Sequence, residues 1–217
     1  MLYYKVTYKI KRNGGFALAS DNFEQERAGE GTWKKSIVSY LHDLIYMLMV
    51  ILLVFLLFFR VIVVSGDSMY STLLDGDYLL LLGNLFYQEP EHGDIVVISK
   101  QSFDNGKPIV KRVIATEGQL VDIDFENGVV YVDNVPLDEP YINSLTKLNE
   151  GTRFPLVVEE NCIFVLGDNR GVSRDSRDPV IGQVDRREVL GKALFLMIPG
   201  TSHGDLPQDP ARIGVIK

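Results

Sequence analysis

Ser68 stands in "VVSGDSMYST" (63–72), two residues after Gly66 and four after the last valine of a long apolar run. A serine there is either turn punctuation or a nucleophile, since Ser-Gly pairs commonly mark turns. It acts as a nucleophile only with a base beside it. Lys111, in "PIVKRVIA" (108–115), is a candidate base. Side chains alternate faces along a strand. Lys111 therefore shares a face with Ile109 and Val113, and Arg112 shares the other with Val110 and Ile114. Burial among β-branched aliphatics disfavours the ammonium and draws a lysine from about 10.4 toward the range of a general base. The plainer reading, which the strand by itself favours, is a lysine that snorkels from a sheet edge to water.

A third segment, "LGDNRGVSRDSRDP" (166–179), packs two serines, three aspartates and three arginines into its last twelve residues. An ordinary solvated loop often has this composition. It also suits a hydrogen-bonded network, with Ser173 orienting the Lys111 amine and Asp175 paired to Arg112 from the face opposite Lys111. Histidine chemistry has little support: His42, His92 and His203 are far apart and in no telling context. No Cys/His cluster has zinc spacing, so no metal is expected. The single cysteine, Cys162, excludes an intramolecular disulfide.

These residues need a scaffold, and the scaffold changes character along the chain. Residues 44–59, "LIYMLMVILLVFLLFF", are sixteen apolar positions without a break, and after Arg60 the run resumes as "VIVV". As a helix, 44–64 would extend about 31 Å at about 1.5 Å per residue, matching the roughly 30 Å hydrocarbon core of a bilayer. Arg60 would snorkel to the interface. A span over 38–59 is the alternative, at the cost of burying His42 and Asp43. The run starts too late and is too long for the apolar part of a cleaved signal peptide. Lys34 and Lys35 precede it, and Val61 to Ser99 contains no Lys or Arg. That asymmetry predicts a single-pass protein of the cell membrane with a cytoplasmic N-terminus and residues 65–217 outside. In the tail, "YKVTYKIK" (4–11) alternates like a strand, and residues 13–33 read as a linker.

Past residue 65 the pattern is that of a β-rich domain. "DYLLLL" (77–82), "DIVVIS" (94–99), "PIVKRVIA", "QLVDIDF" (119–125), "VVYVDN" (129–134), "CIFVLGD" (162–168) and "GKALFLMIPG" (191–200) are short apolar runs between Gly, Asp, Asn and Pro. Asn127-Gly128 marks a hairpin. The 217-residue chain carries a net charge of −7. Residues 1–43 carry +2, while 65–217 carry −10. Such an acidic domain is a poor partner for nucleic acid, whose phosphates require a basic face.

The order of an apolar span, "SGDSMYSTL", "GDIVVI", "KRVIATEG" and "GDNRGVSRDSR" resembles the type I signal peptidases, membrane serine proteases with a Ser-Lys dyad. The small size and single span are similar to the Gram-positive bacterial type. The resemblance covers about residues 40–200. It implies an all-β, or mostly β, extracytoplasmic catalytic domain (65–217) after one transmembrane α-helix (44–64) and a cytoplasmic tail (1–43). It implies Ser68 as nucleophile, Lys111 as general base, Ser173 bonded to the lysine, and Asp175 with Arg112 and Arg177 bracing the site. The Ser68 N–H would be one oxyanion donor. Some members carry a serine two residues before the nucleophile, where this chain has Gly66, and Ser71 stands where the family usually has proline. The implied substrates are secretory preproteins with Ala-x-Ala type signal peptides, met at the lipid bilayer. They would lie extended along 62–66 and 108–111, with Ile62, Val64, Ile109 and Val110 lining small pockets. No cofactor is implied. Two other readings stand beside this one: the soluble self-cleaving SOS-repressor peptidases, which share the dyad but have no span, and a non-catalytic homologue assisting pilus or envelope assembly.

Overall fold

The computed structural model describes residues 21–201 and 208–216. It holds one long helix, α1 (Asp21–Phe58), and a set of antiparallel strands. Within α1, Ser36–Phe58 is long and apolar enough to cross a membrane, and its side chains are exposed. The helix ends at Phe58, and Phe59–Val63, expected to be helical within 44–64, form strand β1. β1 pairs antiparallel with β2 (Tyr78–Gly83), Val61 opposite Leu80. Periodicity cannot separate a short apolar strand from the end of an apolar helix. The β-branched run Val61-Ile62-Val63 suits the pleated surface that β2 offers. Residues 21–33, read as linker, belong to α1. The strand expected at 4–11 lies outside the described residues.

The rest is mostly β, as the short apolar runs between turn residues predicted. The remaining strands are β3 (Ile95–Ile98), β4 (Ile109–Thr116), β5 (Leu120–Asp124), β6 (Val129–Val132), β7 (Val135–Pro136), β8 (Leu156–Val157), β9 (Cys162–Leu166), β10 (Val184–Asp185), β11 (Val189–Ile198) and β12 (Gly214–Val215). The larger sheet runs β1-β2-β11-β3-β4-β9-β10, with β12 added to β11, and the smaller runs β7-β6-β5-β8. The Asn127-Gly128 hairpin is present between β5 and β6, but Asp124 opposite Val129 closes it over four residues. The Asp124 carboxylate accepts the Glu126 and Asn127 N–H groups, which favours this wider turn.

Three apolar clusters explain the run patterns. Ile95 and Val97 of β3 join Val64, Met69, Leu73, Leu79, Leu81 and Val110 on one face. Val96 and Ile98 join Val113, Ile163 and Val165 on the other. Phe164 and Leu166 of β9 join Ile114 and the smaller sheet. A strand buried on both faces reads as an unbroken apolar run, which is why "IVVI" shows no alternation. β4 sits between β3 and β9, so its centre is covered from both sides.

Candidate active site

Lys111 lies opposite Val96 in β4 and is 2 % exposed. It is not a snorkelling lysine. Its Nζ donates to Ser68 Oγ at 2.8 Å and to Val110 O at 3.0 Å. Burial lowers its pKa from the ordinary 10.5 to about 8. Asp175, Asp168 and Glu150 act against that shift by favouring the ammonium, and Arg177 adds slightly to it.

Ser68 is held by its neighbours in sequence. Met69 and Leu73 are each 1 % exposed and root the loop in the first apolar cluster. Gly66 has φ +88°, the left-handed region that suits glycine. Its N–H is taken by Asp75 Oδ1 at 2.7 Å. The Ser68 N–H has no acceptor among the described residues.

The 166–179 segment closes over this loop rather than lying solvated. Asn169 N–H donates to Ser68 O at 3.0 Å, and Asn169 Nδ2 to Asp67 O at 3.1 Å. The approach is close at Gly167: a Cβ there would fall 2.1 Å from Ser173 Oγ and 2.5 Å from Ser68 O. Only glycine fits between those atoms.

The ion pairs differ from expectation. Arg112 forms a bidentate pair with Asp168, Nε to Oδ1 at 2.9 Å and Nη2 to Oδ2 at 2.8 Å, in place of the Asp175 partner anticipated. Its guanidinium also lies 4.0 Å from the Tyr141 ring centroid and bonds Gly93 O. Asp175 instead takes Arg177 in a fully buried pair and accepts the Gly167 N–H at 3.0 Å. Strand alternation gives the face of Arg112, but not which aspartate of a distant loop meets it. Ser173 Oγ is buried and makes no hydrogen bond, so the expected bond to Lys111 is not formed. Its closeness to Gly167 nevertheless places it beside the Ser68 carbonyl.

Three residues that shape the site carried no separate signal in the sequence. Asp168 accepts Arg112 and the Thr72 hydroxyl. Arg170, fully buried, holds Glu139, Thr146 and Gly167 O. Glu150 has a buried Oε2 without a hydrogen-bond partner, and burial and then Asp175 push its pKa up. The density of Asp and Arg between 168 and 178 was the available signal for the first two.

Beside Ser68 is a cavity of about 300 Å³ whose lining includes Ile62, Val64, Ile109 and Val110, the four residues expected there, together with Met69 and Lys107. Ile62 is contributed by β1, the edge strand of the large sheet, and Ile109 and Val110 by β4. No group of three or more His, Cys, Asp or Glu suited to a metal occurs among the described residues.

Residues 37–198 match the family described as "Signal peptidase, peptidase S26". The chain is 37 % identical over 151 residues to "Probable signal peptidase I-1" of Synechocystis sp., covering 66 % of this chain and 73 % of that one. It is 32 % identical over 177 residues to "Signal peptidase I S" of Bacillus subtilis, covering 76 % and 91 %. A crystal structure of a signal peptidase I from Enterococcus faecalis aligns at 31 % identity over 48 % of this chain and 96 % of that chain, with a TM-score of 0.39. The match over most of the chain carries the conclusion: this protein belongs to the signal peptidase family, peptidase S26.

Proposed function

We propose that the chain is a membrane-bound serine endopeptidase that removes N-terminal signal peptides from exported preproteins by a Ser68–Lys111 dyad. The observation that carries this reading is the 2.8 Å contact between Lys111 Nζ and Ser68 Oγ with the lysine buried. A depressed pKa supplies the neutral amine that a general base requires.

In this mechanism an extended substrate lies along 62–66 and 108–111, adding a strand. The shallow cavity takes small side chains at the first and third positions before the cut, the Ala-x-Ala pattern. Neutral Lys111 accepts the Ser68 hydroxyl proton as Oγ attacks the scissile carbonyl. The Ser68 N–H donates to the oxyanion. Collapse breaks the C–N bond, and Lys111 returns the proton to the leaving amine. Water then gives a proton to Lys111 and attacks the acyl-enzyme, freeing Ser68 and the new carboxylate. Asp168 with Arg112 and Asp175 with Arg177 hold the loops that carry these groups. Ser173 is the candidate acceptor for a lysine N–H once the amine rotates to face Ser68 with its lone pair. With Gly66 N–H engaged by Asp75, a second oxyanion donor is not assigned to residue 66.

The test is cleavage of a prepeptide with an Ala-x-Ala site by the full-length protein. Ser68→Ala, Lys111→Ala and Lys111→Arg are each expected to lose at least about a thousandfold in kcat/KM while remaining folded. Arginine keeps its proton in proteins and cannot act as base. Near-native turnover by a folded Ser68→Ala would end the dyad reading, and no cleavage by the parent protein would favour the non-catalytic homologue.

A further inference from the structure

Residues 208–216 lie beyond the stretch that matches the family, yet they reach back to the loop that carries Ser68. Asp209 caps a short turn at Pro210–Arg212, its Oδ1 accepting the Ala211 N–H at 2.9 Å. β12 then pairs with β11, Val215 opposite Phe195, and Ile216 packs against the cluster that holds Val64, Met69 and Leu73. Between these anchors the Arg212 fork meets Asp77, Nη1 to Oδ1 at 2.9 Å and Nη2 to Oδ2 at 2.7 Å. Nη2 also donates to Thr72 O at 3.3 Å. Asp77 is fully buried and accepts two more bonds, from Leu74 N–H at 2.8 Å and Gly200 N–H at 2.6 Å.

A planar guanidinium matches a carboxylate in two parallel bonds, which fixes geometry as well as charge. Here the fixed carboxylate ends the loop that Ser68 begins, and the same guanidinium holds a backbone carbonyl four residues after Ser68. On its other side Thr72 donates its hydroxyl to Asp168, the partner of Arg112, next to Lys111 in β4. The loop is therefore gripped from both sides, at Asp77 and Thr72 O by the C-terminal segment and at the Thr72 hydroxyl by Asp168.

We propose that Arg212 is a positioning residue for the nucleophile: through Asp77 and Thr72 it holds the 64–77 loop so that Ser68 Oγ stays within reach of Lys111 Nζ. This rests on the reading of Ser68 as nucleophile. Displacement of a reacting group by about 1 Å costs on the order of a hundredfold in rate, so the arm governs turnover more than substrate affinity.

The experiment compares full-length wild type, Arg212→Ala, Arg212→Lys and Ser68→Ala in prepeptide cleavage, with kcat and KM separated and the pH profile recorded. Arg212→Ala is expected to lose roughly 10- to 100-fold in kcat with KM nearly unchanged. The acid limb should stay in place, because the lysine's surroundings are untouched. Millimolar guanidinium should restore part of the Arg212→Ala rate and none of the Ser68→Ala rate. Arg212→Lys, which keeps the charge without the fork, should fall in between and covers the case in which the alanine variant does not fold. Wild-type kcat in a folded Arg212→Ala or in Arg212→Lys overturns the proposal, as does a loss that tracks only the unfolded fraction and shows no guanidinium rescue. Activity retained by Ser68→Ala would instead remove the nucleophile assignment, so the two failures are told apart.

Discussion

The central fact at the scale of single residues is a buried lysine, whose burial makes its amine less basic than usual and so lets it be neutral near pH 8. Desolvation dominates, and the surrounding acids partly reverse it. With Lys111 at about 8, the neutral amine increases as pH rises through that value. The rate is therefore expected to rise with pH up to a plateau, about tenfold per pH unit on the acid side. Asp175 is the leading group favouring the ammonium. Asp175→Asn removes that charge and leaves Arg177 less neutralised, and both changes push Lys111 further down. The acid limb of kcat/KM should move to lower pH, even though the plateau falls because Gly167 N–H and Arg177 lose an acceptor. A limb that stays put or moves up in Asp175→Asn would mean that the rate does not report the Lys111 amine. Ser68 and Lys111 were each ambiguous in the sequence taken singly, a glycine-flanked turn serine and a lysine on an aliphatic strand, and only their combination with the 166–179 segment singled them out. The partner of Arg112 was not singled out, because it depends on how a loop more than fifty residues away folds back.

Elements hold these residues in place. β4 sets Lys111 between β3 and β9, and the 166–179 segment presses on the Ser68 loop through Asn169 and Gly167. Gly167→Ala tests that pressure. Its Cβ would overlap Ser173 Oγ and Ser68 O, so one of the two segments must shift. Overpacking of this kind costs typically about 1–3 kcal/mol, and the shift falls on the Ser68 loop. In the proposed role, a drop in unfolding midpoint together with a loss of at least about tenfold in kcat is expected. Unchanged turnover in Gly167→Ala would show that the loop contact does not set Ser68. Most strands were legible as apolar runs between turn residues, and β3 in particular because it is buried on both faces. β1 was not, since its valines continue the apolar run of α1 and only its pairing with β2 makes it a strand. β7, β8, β10 and β12 are two residues each, too short to carry a period.

At the scale of the whole molecule, the division between α1 and the β-rich part follows from solvent chemistry. From Leu44 to Phe58 the helix is apolar on every side, and none of Ser36–Phe58 is buried by protein, so water is the wrong medium for it. Twenty-three residues rise about 34 Å, enough for the roughly 30 Å hydrocarbon layer. In the proposed role the β-rich part must face the compartment where preproteins emerge. The charge pattern agrees: Lys34 and Lys35 precede the span, whereas the 39 residues from Val61 to Ser99 hold neither Lys nor Arg. Positive residues are retained on the cytoplasmic side, while acidic ones contribute little to orientation. The net −10 of residues 65–217 is therefore no guide, and the lysine pair is. Protease added to intact spheroplasts should degrade an epitope tag at Lys217 and spare one at Met1. Exchanging Lys34 and Lys35 for Gln and adding two lysines after Val64 should weaken or invert that pattern. A C-terminal tag protected in the parent protein would place the dyad on the cytoplasmic side, out of reach of translocated cleavage sites, and the secretory role would fall even if Ser68 and Lys111 cleave peptides in detergent.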